Sequence, residues 1–204
     1  MIVGIADLGI GNFAAMAKMV NQLGGDARRM STPAELIAAS HIILPGVGAF
    51  EYAAATLDSA GWREPLTKLL TDGSRPVLCV CVGMQLLVDS SEEGEGSGLG
   101  WFPGRCVRFD PQGALKVPLM GWNSVTPTRP SALFPSNSTD ERFYFVHSYH
   151  VTCADRGDVL AYGDYGGPFA AAIGRDHVMG VQFHPEKSHR FGLQLLRNFL
   201  EFTC

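Results

Sequence analysis

Two short stretches carry the side chains whose types and spacing could do chemistry. One is Cys79-Val80-Cys81-Val82-Gly83-Met84-Gln85; the other, far downstream, is His184-Pro185-Glu186. Residues Val77 to Val82 are apolar and rich in Val, as a strand buried on both faces requires, and Gly83 ends the run just before a helix. A thiol at such a strand tip lies beside helix-terminal amides that favour the thiolate. Taken alone, Cys79 and Cys81 read more readily as small apolar core residues, the usual fate of a free cysteine. The downstream stretch changes that balance. A strand ends at Phe183, Pro185 forces an extended turn, and Glu186 follows His184 by two residues, so both side chains can face one side. A thiol, a general base and a carboxylate to orient the base together follow the logic of a nucleophile triad.

The elements that must position these groups follow an alternating order in the first half. Strand candidates at Ile2–Ala6, Asp26–Met30, His41–Leu44 and Val77–Val82 are separated by helical patterns at 13–23, 49–60 and 62–71. That alternation predicts a parallel, helix-covered sheet. Thr32 and Glu35 have the spacing of a capping box for a further short helix, and another helix is expected from Met84 to Val88. Two glycines flank Val47 in Pro45-Gly46-Val47-Gly48, so this segment can approach another group closely and aim an amide at it, or simply turn. Gly9 to Ala14 matches a loose dinucleotide fingerprint, but Asp26 opens the second strand instead of closing it, so a tight strand-to-helix turn is preferred. Ser90 to Gly98 is polar and Gly-rich and reads as a surface loop.

The second half changes character. Gly104–Phe109, Ser124–Pro127, a continuous aromatic strand Phe143–Val151, and Val159–Tyr162, Ala170–Ile173 and Val178–Phe183 have the hairpin-like spacing of mixed or antiparallel β-structure. A final helix is expected from about Ser188 to Phe202. Phe191, Leu195, Leu196, Phe199 and Leu200 form its apolar face.

Composition bounds the partners. The 204 residues suit one α/β domain spanning 1–204, with 46% hydrophobic and 18% charged residues. A net charge of −4 offers no basic stripe for phosphates, so no nucleic-acid partner is expected. No segment approaches the roughly 20 apolar residues of a membrane span, and the start reads as a strand and not as a secretory signal. The five cysteines lack a disulfide framework, and free thiols in a cytoplasmic protein are expected. Cys79 and Cys81 have no second cysteine pair to complete a metal site, so neither metal nor cofactor is expected.

With these residues placed, the chain resembles the class I (triad) glutamine amidotransferases, and among them the glutaminase subunits of imidazole glycerol phosphate synthase. Cys81 to Gln85 and His184 to Glu186 carry the wider resemblance. Pro45 to Phe50, Met120-Gly121-Trp122-Asn123, Phe145-Val146-His147-Ser148-Tyr149 and Gly180 to Ser188 narrow it, in family order over nearly the whole chain. The resemblance implies that family's fold: a central, mostly parallel sheet flanked by helices, with mixed β-structure in the C-terminal half. It implies that Cys81 attacks the side-chain amide of L-glutamine, with His184 as base and Glu186 holding the ring. It further implies oxyanion donors at Val82 and Val47, a reorientation of the Val47 segment allowed by Gly46 and Gly48, and a substrate site from Gly46, Gly48, Gln85, Glu93, His147, Ser148 and Tyr149. The implied partner is a (β/α)₈-barrel cyclase subunit forming a heterodimer and receiving ammonia, with Trp122, Asn123 and Lys187 at the interface.

Three residues depart from the family pattern. Cys79 replaces the first glycine of the elbow, where a side chain is expected to strain packing against the following helix. Leu119 stands where a polar residue is common, and Leu8 where an aromatic is common. None belongs to the triad, so an active enzyme is expected. Two other readings stay open at this point: a paralogous glutaminase serving another synthase, such as one aminating a surface sugar, and a non-catalytic or dinucleotide-binding protein on this fold. An exposed Trp122 in a Gly-Trp-Asn turn fits an interface anchor, and a half-buried core Trp fits the same letters.

Overall fold

The computed structural model describes residues 1–110, 115–136 and 141–204. The first half alternates as its periodicity requires. Strands β1 (Ile2–Ala6), β2 (Asp26–Met30), β3 (His41–Gly46) and β4 (Val77–Cys81) are interleaved with helices α1 (Phe13–Gln22), α2 (Phe50–Ser59) and α3 (Arg63–Asp72). Every residue of β3 and β4 is buried, which explains why these strands read as continuous apolar runs without alternation. Helix α4 (Val82–Gln85) follows β4 without a break. It starts at the residue after Cys81 and is shorter and earlier than the expected 84–88. Thr32 provides no side-chain cap. The segment Pro33–Ala38 is a 3₁₀ turn, and Glu35 accepts from the Ser31 amide at 2.7 Å and not from that of Thr32, so the capping box does not form.

The second half contributes β5 (Ser90–Ser91), β6 (Gly104–Arg108), β7 (Leu119–Pro127), β8 (Glu141–His147), β9 (Tyr149–Cys153), β10 (Val159–Asp164), β11 (Pro168–Arg175) and β12 (Val178–Val181), then helix α5 (His189–Glu201). Among the described residues, nine strands form one sheet in the order β2-β1-β3-β4-β12-β11-β10-β7-β8, while β5, β6 and β9 form a small second sheet. Pairing is parallel from β2 to β12 and antiparallel from β12 to β8. Chain-distant β4 and β12 are therefore parallel neighbours, with Val80 beside Val181.

Three expectations change here. The aromatic run breaks at Ser148: β8 closes the large sheet and β9 enters the small one. The Ser90–Gly98 loop contains β5. Gly121-Trp122-Asn123 lies inside β7 and is no turn. The strand's outer face carries Met120 and Trp122, 64% and 41% exposed, so Trp122 is not a core residue. The core is continuous from the sheet to α5, whose Leu195, Leu196, Phe199 and Leu200 are buried. Phe143 and Phe145 are fully buried, and Phe143 stacks on Phe183 at 3.8 Å.

Candidate active site

Cys81 ends β4 with φ 56° and ψ −112°, a backbone conformation that a non-glycine residue adopts only under constraint. The constraint comes from close packing around the turn. A Cβ on Gly83 would stand 2.2 Å from the Leu44 carbonyl oxygen, and one on Gly46 would stand 2.6 Å from the Gly83 nitrogen. Glycine at both positions lets the end of β3 press against the elbow, and the elbow then projects the Cys81 side chain beyond the sheet. Such a strained strand-to-helix turn is how a nucleophile is exposed at the end of a parallel sheet.

Cys79 does not strain this arrangement. It is fully buried in a regular strand, registered with Leu44 on one side and Gly180 on the other, and its φ is not positive. Room for the elbow helix is made across the sheet: a Cβ on Gly180 would meet Met84 at 2.8 Å. Burial raises the Cys79 thiol far above its ordinary pKa, which keeps it protonated and inert.

His184 follows β12 and is held by the sheet's edge strand. Its amide donates to the Tyr144 carbonyl at 2.9 Å, and Ser188 Oγ donates to the His184 carbonyl at 2.6 Å while accepting from the Tyr144 amide at 2.9 Å. Helix α5 presses on this turn through Gly192, where a Cβ would lie 1.9 Å from the Pro185 carbonyl oxygen. The turn brings Glu186 back under the ring, with His184 Nδ1 at 2.8 Å from Glu186 Oε1 and both side chains buried. A carboxylate there fixes the Nδ1–H tautomer. The buried Nε2 has no hydrogen-bond partner of its own beyond the neighbourhood of Cys81. Burial opposes protonation of the ring, but the Cys81 side chain and the Glu186 carboxylate outweigh it and lift the pKa to about 9.

These groups open into a cavity of about 430 Å³, also lined by Val47, Gly48, Gln85, Glu93, His147, Ser148 and Tyr149. The structure thus gathers nearly every residue expected at a substrate site; Gly46 is the exception, lying behind the wall against Gly83. Glu93 reaches the wall because its Oε2 accepts from the Phe50 amide at 2.8 Å, capping α2. Tyr149 contributes a main-chain carbonyl that accepts from Gln85 Nε2 at 3.0 Å and from His147 Nδ1 at 2.8 Å. A carbonyl only accepts, so His147 carries its proton on Nδ1, and burial lowers its pKa to about 4. Val82 supplies the amide that follows Cys81 at the start of α4. Val47 lies at the cavity, 43% exposed, but its amide donates to the Ile10 carbonyl. The Gly-rich turn after β1 is therefore a clasp for this segment, closely packed through Gly11 on Pro45.

The three residues expected at an interface separate. Lys187 lies at the cavity with its ammonium 5.7 Å from the Tyr144 ring. Trp122 stacks on His189 at 5.6 Å. Asn123 is turned inward, donating to the Asp164 carbonyl at 2.8 Å. Two residues near the nucleophile escape a motif reading. Asn12 lines the cavity while its Oδ1 caps α1 at the Ala15 amide. Gln182, fully buried, donates from Nε2 to Cys81 Sγ at 3.7 Å; its position two residues before His184 would have placed it on the same strand face.

Comparison with known proteins gives a consistent picture. The family described as "Glutamine amidotransferase class-I" matches residues 5–202. The imidazole glycerol phosphate synthase subunit HisH of Leptospira interrogans is 45% identical over 201 residues, covering 97% of this chain and 98% of that protein. The HisH subunit of Bdellovibrio bacteriovorus is 46% identical, covering 98% and 100%. Among solved structures, PurLQS from Thermotoga maritima superposes with a TM-score of 0.76 at 15% identity, over 98% of this chain and 97% of that one, a likeness of fold alone.

Proposed function

The chain belongs to the class-I glutamine amidotransferases, among the HisH subunits of imidazole glycerol phosphate synthase, and we propose that it hydrolyses L-glutamine through a Cys81 thioester. The observation that carries this reading is the meeting of Cys81, on a strained elbow, with a His184 ring held by Glu186 at 2.8 Å. A ring with a pKa of about 9 holds its proton at neutral pH, beside the sulfur. The thiolate attacks the side-chain carbonyl carbon of glutamine, and the carbonyl electron pair moves onto oxygen. The Val82 amide donates to that oxygen; the Val47 amide joins it once released from Ile10, a rotation for which Gly46 and Gly48 give freedom. Collapse breaks the C–N bond, with the His184 proton passing to the departing ammonia. His184 then takes a proton from water, whose oxygen attacks the thioester and frees glutamate and the thiolate. Gln85, Glu93 and the His147–Tyr149 segment hold the glutamine.

The ammonia passes to a (β/α)₈-barrel cyclase subunit, and the pair works in histidine biosynthesis in the cytoplasm, where the five free cysteines stay reduced. The test is glutamate release by the purified chain with and without a barrel cyclase and its ligand. Turnover that rises with the partner and disappears in Cys81→Ala supports the proposal. Equal turnover by Cys81→Ala overturns it, and capture of a different synthase from the native cell extract reassigns the pathway.

A further inference from the structure

Beyond the triad, a continuous polar chain reaches the nucleophile from the substrate wall. The Tyr149 carbonyl accepts from Gln85 Nε2 at 3.0 Å, Gln182 Oε1 accepts from the same nitrogen at 3.2 Å, and Gln182 Nε2 donates to Cys81 Sγ at 3.7 Å. The direction of this chain is fixed at its far end. A main-chain carbonyl can only accept, so the Gln85 amide turns its NH₂ toward Tyr149, and its second N–H meets the Gln182 oxygen. Gln182 is thereby oriented with its own NH₂ toward the sulfur. Its place follows from topology: β4 and β12 pair in parallel with Val80 beside Val181, so the next residues along are Cys81 and Gln182. Gln182 is fully buried and its main chain is pinned to Ala171 at 2.9 Å, which leaves the side chain no solvent alternative.

We propose that Gln182 is a positioning residue for the nucleophile, donating a hydrogen bond that favours the Cys81 thiolate and tying the sulfur to the Gln85 substrate wall. The proposal rests on Cys81 being the nucleophile and adds a donor that the triad does not contain. A buried N–H···S⁻ bond is charge-assisted, and its donor is neutral, so it stabilises the thiolate without competing for the His184 proton. The other ionisable groups facing the sulfur are His184 with Glu186 behind it, while Glu93, His147 and Lys187 stand farther round the same cavity. Gln182 is thus the neutral contributor to a site otherwise set by charge.

Two substitutions separate its two ends. Gln182→Glu keeps an acceptor for Gln85 and loses the donor; Gln182→Met keeps the length and loses both. The readout is the pH dependence of iodoacetamide alkylation at Cys81, located by peptide mass spectrometry because the exposed Cys204 also reacts. The alkylation midpoint is expected to rise by about one to two pH units in both variants, the scale of one hydrogen bond to a charged group. The acid limb of kcat should move with it. KM for glutamine should stay unchanged in Gln182→Glu and rise in Gln182→Met. Thermal unfolding establishes that each variant is folded, and Gln182→Met alone suffices if the buried carboxylate prevents folding. A folded Gln182→Met with the wild-type midpoint overturns the role. If that occurs while turnover still requires Cys81, only Gln182 is demoted; if turnover survives Cys81→Ala, the thioester reading itself falls.

Discussion

The main-chain amide of Val47 donates to the carbonyl of Ile10, although Val47 lies at the cavity where Cys81 opens. On the proposed mechanism, an oxyanion would find the Val82 amide alone in this conformation, with a second donor only after the Val47 peptide turns. Gly48 already sits at φ +103°, and nothing lies within 4 Å of the point where a Cβ would stand, so the segment has both space and an unusual backbone to draw on. One oxyanion donor is worth about 10²–10³ in rate. Val47→Pro removes the amide outright. Partner-stimulated glutamate release is expected to fall by that factor, while the rate of Cys81 alkylation is unaffected. A loss under about tenfold would return Val47 to the status of a plain turn residue.

His184 gives a pH signature whose sign is fixed. The ordinary histidine value is 6.5, and burial alone would lower it; Cys81 and Glu186 instead raise it to about 9. The native state therefore holds a proton that the unfolded chain releases. This stabilisation is complete below 6.5 and is lost as pH rises through about 9. Two of the causes that raise the pKa belong to Cys81. In Cys81→Ala, a ring titration by NMR should fall below the wild-type value, and the loss of stability on the alkaline side should be smaller and complete at lower pH. An unmoved titration would mean that sulfur and imidazole do not interact.

Cys79 and Gly83 make opposite predictions for one elbow. Cys79 fills a regular, fully buried strand position whose neighbour across the sheet is Gly180. Cys79→Gly should leave turnover within about twofold and reduce stability by about 1 kcal/mol, from added chain entropy and lost packing. At Gly83 a Cβ would meet the Leu44 oxygen at 2.2 Å, so Gly83→Ala should abolish turnover and unfold the elbow in a denaturant titration. A gain of activity in Cys79→Gly would restore the idea that a side chain at position 79 strains the site.

The same pair shows what the sequence could reveal. β3 and β4 were legible because strands buried on both faces leave uninterrupted apolar runs, and His184-Pro185-Glu186 was legible because proline fixes the turn that returns the carboxylate to the ring. The meaning of Cys79 depended on Gly180, which is its neighbour only through the β4–β12 pairing; no local pattern contains that. Ser148 is similar. Phe143 to Val151 has the letters of one strand, but the break at Ser148 comes from tertiary pairing, which sends β8 to the large sheet and β9 to the small one. Gln182 carried one local signal, its period-2 relation to His184, while its contact with Cys81 depends on the β4–β12 pairing.

The outer face of β7 carries the last prediction. Met120 and Trp122 project from it, Trp122 stacks on His189 at 5.6 Å with the planes 7° apart, and Tyr144 lies between Trp122 and the Lys187 ammonium. Lys187 also lines the cavity, so this apolar face adjoins the candidate active site. Large aromatic anchors at such positions dominate binding, and truncating one typically costs about 2 kcal/mol, some thirtyfold in Kd. Trp122→Ala is expected to weaken binding to the barrel cyclase by that order in calorimetry. Its effect on the isolated chain should be small, because Trp122 is 41% exposed. Asn123 should behave oppositely. Its side chain is committed to the Asp164 carbonyl, so Asn123→Ala should lower stability by about 1 kcal/mol and leave Kd nearly unchanged. Full affinity in Trp122→Ala together with a stability loss would make the stack on His189 an internal prop and would move the docking surface elsewhere.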